Sequence, residues 1–203
     1  MLKILIHFIF VLLIIFPLKL WAVSFDISRL DPEGLIPKNL LQKTFDYYDL
    51  NINKIKNKKF VGIIDFSVHN SKERFFIVDT DSGLVETYFV SHGKNSDPDF
   101  DGFATKFSNT PDSLMSSLGF FLTAETYLGQ NGYSLRLDGL EKSNSNARTR
   151  AIVIHGASYV SPSKPGDKIG RSYGCPAIEL RYHQDIIDRM KDGALLFAGL
   201  SKN

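Results

Sequence analysis

The chain changes texture at Phe60. Before it, Leu35, Leu40, Leu41, Phe45 and Tyr48 recur at near-helical spacing. That spacing predicts a helical lead-in over 23–59, which the polar stretch NINKIKNKK closes. After Phe60, short runs rich in β-branched and aromatic residues follow one another: FVGIIDFSV, RFFIVDT, GLVETYFVSHG, GFFLTAETYL, YSLRLDGL and RAIVIHG. Such residues fit a pleated, half-buried surface, and HNSKE and DSG mark reversals between them. YHQDIIDRMKDG reads as a short helix, with Ile186, Ile187 and Met190 on one face and Gly193 as its stop. ALLFAGL closes the chain as a strand. The pattern predicts a mainly β domain over 60–203 with peripheral helices.

The first residues alter that picture. Lys3 is followed by an almost unbroken apolar run from Ile4 to Phe16, then Pro17 and a small residue at Ala22. This is the layout of a secretory signal peptide over 1–22, cleaved near Ala22. The run is short for a bilayer span of about 20 residues, so no integral membrane domain is expected after cleavage. An uncleaved anchor is the competing reading. Removing 1–22 takes away Lys3 and Lys19, and 24 basic residues become 22 against 22 acidic. A neutral mature chain argues against nucleic acid as a partner. The lysines of NINKIKNKK read as a solvated turn, or as a hold on an anionic polymer.

Export also changes the meaning of the cysteine count. Cys175 is the only cysteine, and a lone thiol in an exported chain suggests either intermolecular pairing or a free reactive group. A small buried hydrophobe is the plainer alternative. Gly174 before it permits unusual backbone angles, and Pro176 after it biases Cys175 towards an extended conformation. A turn of this kind can aim the N–H groups of Tyr173, Gly174 and Cys175 at an oxyanion. A nucleophilic thiol needs a base, and His155 ends an apolar strand just before Gly156. The loop ASYVSPSKPGDKIGRS is long enough to fold His155 back onto Cys175.

IHG, a loop, then SYGCPAIEL resembles the active-site signature of murein L,D-transpeptidases, the YkuD-type cysteine enzymes of the bacterial cell wall. The likeness extends over residues 60–200, takes in FSNTPDS and LGFFLTAETY, and is nearest to a divergent branch with Cys-Pro-Ala after the glycine. It implies a YkuD-like β-rich catalytic domain without cofactor or metal. It implies Cys175 as nucleophile, His155 as base and the Gly156 carbonyl as the group orienting the histidine. Ser172, Tyr173 and Gly174 take the places of Ser-His-Gly, with Ser172 expected to contact substrate. Tyr173 and Ala177 depart from the common pattern, and Arg171, Lys164 or Lys168 are the cations available for a substrate carboxylate. The implied partners are peptidoglycan stem peptides, in the periplasm or cell wall. The implied reaction is attack of the thiol on the third-residue carbonyl of a tetrapeptide stem, release of D-alanine, and transfer from the thioester to an amine. Transfer to water would make an L,D-carboxypeptidase, and loss of activity would leave a wall-binding module. A papain-like protease is disfavoured by the order His before Cys and by the missing motif around the cysteine.

His92 ends the strand GLVETYFVSH and is a candidate to line the cleft for substrate. His69 and His183 fit a turn and a helix start. DPDFDGF reads as a turn, because it lacks the spacing and final Glu of a calcium hand. Tyr127 and Tyr133 suit a substrate groove, core packing or surface stacking equally.

Overall fold

Helix α1 (Lys38–Leu50) starts at Pro37, whose φ of −53° suits a helix entry and whose carbonyl accepts the Leu40 N–H at 2.9 Å. Leu40, Leu41, Phe45 and Tyr48 are buried on one side of it. Leu35, expected on the same face, precedes the helix and is 39% exposed. The structure, a computed structural model, describes residues 26–202; the expected signal peptide over 1–22 lies outside them.

The strand-like runs form β1 (Phe60–Asp65), β2 (Phe75–Asp79), β3 (Val85–Tyr88), β4 (Gly119–Gly129), β5 (Gly132–Gly139), β6 (Val153–Ala157), β7 (Ala177–Glu179) and β8 (Leu195–Gly199). They make one eight-stranded sheet in the order β3-β2-β1-β8-β4-β5-β6-β7. Only the β1–β8 and β6–β7 pairs are parallel. Beyond β3 the chain bridges β7 at Val90↔Ile178, and Ser91 N–H donates to the Ala177 carbonyl at 2.9 Å. The two ends of the sheet therefore meet, and the sheet is barrel-like.

Alternation along the strands sorts side chains into two cores. Val61, Ile63, Phe76, Val78, Leu195 and Phe197 face α1. Ile64, Phe75, Ile77, Leu196 and Ala198 face the other way, into a core shared with helix α2 (His183–Met190) through Ile186, Ile187 and Met190. The helix matches its expected apolar face, and Asp192 (φ 64°) and Gly193 (φ 94°) end it. The fold is mainly β with two α-helices, as the sequence pattern predicts.

Several boundaries differ from expectation, and GLVETYFVSHG is a strand only to Tyr88, four residues short of His92. FVGIIDFSV stops being a strand at Asp65, whose carboxylate accepts the Ser67 N–H and hydroxyl and so forms a turn. RAIVIHG begins its strand only at Val153, because Ala147 to Ala151 form a turn ending at a left-handed Ala151 (φ 52°). The three residues of β7 lie inside SYGCPAIEL, where no periodicity announces a strand. That short strand sets the site, since its register pairs His155 with Ala177 and Gly156 with Ile178.

Candidate active site

Pairing of β6 with β7 closes the twenty-residue gap between His155 and Cys175. Cys175 sits two residues before Ala177, so the turn that carries it lies beside the His155 strand. Gly174 has φ 124°, a conformation that a side chain resists. A Cβ there would stand 2.7 Å from the Met115 carbonyl oxygen and 3.2 Å from Ile152 Cδ1. The Ser172 hydroxyl fastens the turn from within. It donates to the Cys175 carbonyl at 2.6 Å and accepts the Gly174 N–H at 3.1 Å. Of the three expected oxyanion donors, Gly174 is thus engaged, while the N–H groups of Tyr173 and Cys175 have no partner among the described residues.

The Cys175 thiol is half-buried, with the Val153 N–H and the Ala151 carbonyl each 3.5 Å from sulfur. Burial pushes its pKa up, while the Val153 N–H and the Arg150 charge pull it down by less. His155 is buried on β6, with Nδ1 3.1 Å from the Gly156 carbonyl oxygen. A carbonyl only accepts, so Nδ1 carries the proton and Nε2 is left as a base. Burial holds the His155 pKa below its ordinary 6.5, although the Gly156 carbonyl opposes this. The resting pair is therefore a neutral thiol and a neutral imidazole. Gly156 is required in its own right, because a Cβ there would come within 2.7 Å of the His183 ring.

His155 and Cys175 open onto one cleft of about 300 Å³, shared with Tyr173, Arg171, Tyr159 and Asn131. A thiol, an imidazole with a free Nε2 and two unengaged N–H groups around one space suit acyl transfer. The sequence matches the family model described as L,D-transpeptidase catalytic domain over residues 33–198. The chain belongs to the L,D-transpeptidase catalytic domain family.

Solved structures similar to this L,D-transpeptidase domain share little sequence with it. The L,D-transpeptidase LdtMt1 in complex with imipenem is 16% identical, with a TM-score of 0.43 over 69% of this chain and 58% of that one. An L,D-transpeptidase from Mycobacterium smegmatis is 14% identical, with a TM-score of 0.42 over 69% and 58%. L,D-transpeptidase 1 of Mycobacterium tuberculosis is 14% identical, with a TM-score of 0.38 over 69% and 61%. This chain spans about three-fifths of the length of those structures. No curated protein matches it.

One of the expected substrate contacts of this L,D-transpeptidase domain proves internal. His92 does not reach the cleft. It is 0% exposed, with Nδ1 2.8 Å from Arg74 Nη2 and Nε2 3.2 Å from an Asp97 carboxylate oxygen. Burial and the Arg74 charge hold its pKa down at about 4, against the Asp97 hydrogen bond. Ser172 borders the cleft, and its one hydroxyl proton is given to the turn. Arg171 does line the cleft; its guanidinium stacks on Phe100 at 4.2 Å and donates to the Lys94 and Asp97 carbonyls. Lys168 stacks on the same ring.

The remaining candidates have structural places. DPDFDGF is a turn held by Asp97, which accepts the N–H groups of Asp101 and Gly102 at 3.0 Å. His69 bonds Ser71 and the Asp101 carbonyl, and His183 bonds the Leu180 carbonyl. Tyr127 stacks under Arg136, and Tyr133 donates to Asp188. Among the described residues, no group of three or more His, Cys, Asp or Glu is placed to hold a metal ion. Sequence reasoning missed Asn131 and Tyr159 on the cleft, and Arg150 behind it. Asn131 sits at the β4–β5 hairpin tip, and only the folded sheet brings it to the site.

Proposed function

We infer that this protein is an exported cysteine L,D-transpeptidase acting on peptidoglycan tetrapeptide stems. The observation that carries the reading is the neutral Cys175–His155 pair on one cleft, beside the unengaged N–H groups of Tyr173 and Cys175. In this mechanism His155 Nε2 takes the Cys175 proton as sulfur attacks the carbonyl of the third stem residue. The oxyanion is met by the two N–H groups. When it collapses, the carbon–nitrogen bond breaks and D-alanine leaves with the proton returned by His155. An acceptor amine then attacks the thioester, gives its proton to His155, and displaces the sulfur. The part-buried cation of Arg171, which lines the cleft, suits a substrate carboxylate.

Mass spectrometry of purified peptidoglycan incubated with the protein tests this. Tetrapeptide stems should lose D-alanine, and dimers joined between third-position residues should appear; Cys175→Ala should produce neither. Tripeptide stems without dimers would assign water as the acceptor. Stems left unchanged by the wild type would overturn the reading.

A further inference from the structure

Arg150 has no role in the chemistry described so far, yet it stands directly behind the cysteine turn. Its Nη2 lies 3.3 Å from the point a Cβ on Gly174 would occupy. The residues that follow it cradle the sulfur: the Ala151 carbonyl and the Val153 N–H are its two hydrogen-bond partners. Ala151 reaches this position through a left-handed conformation (φ 52°). The guanidinium is held in one place by neutral oxygens. Nη1 donates to the Ser108 carbonyl at 2.7 Å and Ser117 Oγ at 2.5 Å; Nη2 donates to the Met115 carbonyl at 2.6 Å and Ser113 Oγ at 3.1 Å.

No carboxylate pairs with this cation among the described residues, whereas Arg136 and Arg181 each pair with one and Arg148 and Arg189 with two. A half-buried guanidinium whose partners are all neutral keeps its full positive field. The other ionisable groups that line the cleft with Cys175 are His155, Tyr159, Tyr173 and Arg171.

We propose that Arg150 is a positioning residue of the reaction: fixed by the 108–117 segment, it supplies from behind the turn the countercharge that lets the Cys175 thiolate form in a half-buried site. The inference rests on Cys175 being the nucleophile. It assigns the segment Ser108–Ser117 a purpose too, as the frame that aims the guanidinium. The sign of the electrostatics agrees, since the Arg150 charge pulls the thiol pKa down against the burial that raises it.

The test reads thiolate formation directly. Iodoacetamide alkylates the thiolate, forming a carbon–sulfur bond and releasing iodide, and Cys175 is the only cysteine in the chain. Rates are measured against pH for the wild type, Arg150→Lys, Arg150→Gln and Arg150→Met. A nearby opposite charge moves a pKa by about one unit or more, so Gln and Met should react about tenfold more slowly near neutral pH. Their profiles should shift to higher pH and reach the wild-type plateau, and Lys should recover most of the rate. Either neutral variant serves if the other does not fold cooperatively. Unchanged profiles in the neutral variants would overturn the proposal, as would an equal shift in Lys, which would mean a purely structural role. No peptidoglycan is involved, so failure of the stem-peptide chemistry would show in a different experiment.

Discussion

Replacing His155 by alanine tests whether the neutral pair works as its electrostatics require. An ordinary thiol of pKa 9.0 is ionised to about 1 part in 100 at pH 7. Burial pushes Cys175 higher still, so the preformed thiolate is scarcer than that. Attack must then draw on a base at the moment of reaction, and His155, held below 6.5, is neutral and ready at pH 7. General-base assistance is worth about 10²–10⁴-fold, or about 3–5 kcal/mol of barrier. His155→Ala should lower the rate of carbapenem acylation by that factor at pH 7. The lactam carbonyl is attacked like the stem carbonyl, its carbon–nitrogen bond opens, and the adduct carries the whole drug mass. The pH dependence separates loss of a base from misfolding. The wild type should hold its rate as pH falls to 6.5 and lose it only below, as His155 is protonated. The variant should lack this acid limb and gain about tenfold per pH unit up to the thiol pKa, because hydroxide alone makes its thiolate. The assay is intact-mass kinetics from about pH 5 to 10. Parallel profiles for the two proteins would refute His155 as the base.

Gly174→Ala should cost about 1–3 kcal/mol in strain, and more from the 2.7 Å approach to the Met115 carbonyl. Displacement of the turn should reduce acylation by about 10²-fold, measured beside the thermal midpoint. Because His92 is depressed to about 4 in the fold, its contribution to stability is complete above pH 6.5 and is lost as pH falls towards 4. Denaturant titrations should show about 3 kcal/mol of that loss, and His92→Gln should flatten the slope; equal slopes would contradict it. Protein recovered from an exporting bacterium should begin near Val23, and N-terminal sequencing that finds Met1 in a membrane fraction would favour an anchor.

Local chemistry was readable in the sequence where a short stretch determines its own shape. The Gly-Cys-Pro turn is one such case: the φ of 124° at Gly174 follows from what only glycine tolerates. The two-sided strands are another, because Val61 and Ile63 against Ile64 obey the period of the pleat. What stayed hidden depends on partners distant in the chain. Nothing near Asn131 or Arg150 signals the cleft until β5 pairs with β6 and β6 with β7. His92 misled for the same reason. A histidine at a strand end looks available, and only Arg74, eighteen residues earlier, shows that it is enclosed. Ser172 lines the cleft, and only the folded turn shows that its hydroxyl proton goes to the Cys175 carbonyl, which leaves it an acceptor alone.

The enclosed cluster explains how the cysteine turn is kept in place. Arg74 is 0% exposed, a costly position for a guanidinium unless its donors are met. Each of its three nitrogens has a partner: Nε and Nη2 reach the Val90 carbonyl at 3.2 and 3.0 Å, Nη1 reaches the Val68 carbonyl at 2.7 Å, and Nη2 reaches His92. Two of these acceptors, the Val90 carbonyl and His92, belong to the segment that bridges β7 at Val90, and the third, the Val68 carbonyl, lies in the turn after β1. The same segment accepts the Ser172 N–H at the His92 carbonyl (2.9 Å) and returns the Lys94 N–H to the Ser172 carbonyl (2.7 Å). One face of residues 90–94 is thus fixed by buried charge, while their backbone fixes the start of the cysteine turn. Asp97, on the far side of His92, ties in the loop whose Phe100 carries Arg171. Removing one member of such a buried ionic set costs about 3–5 kcal/mol, because the others are left uncompensated. The rigidity of the cysteine turn therefore comes from the protein interior as much as from its own glycine and proline.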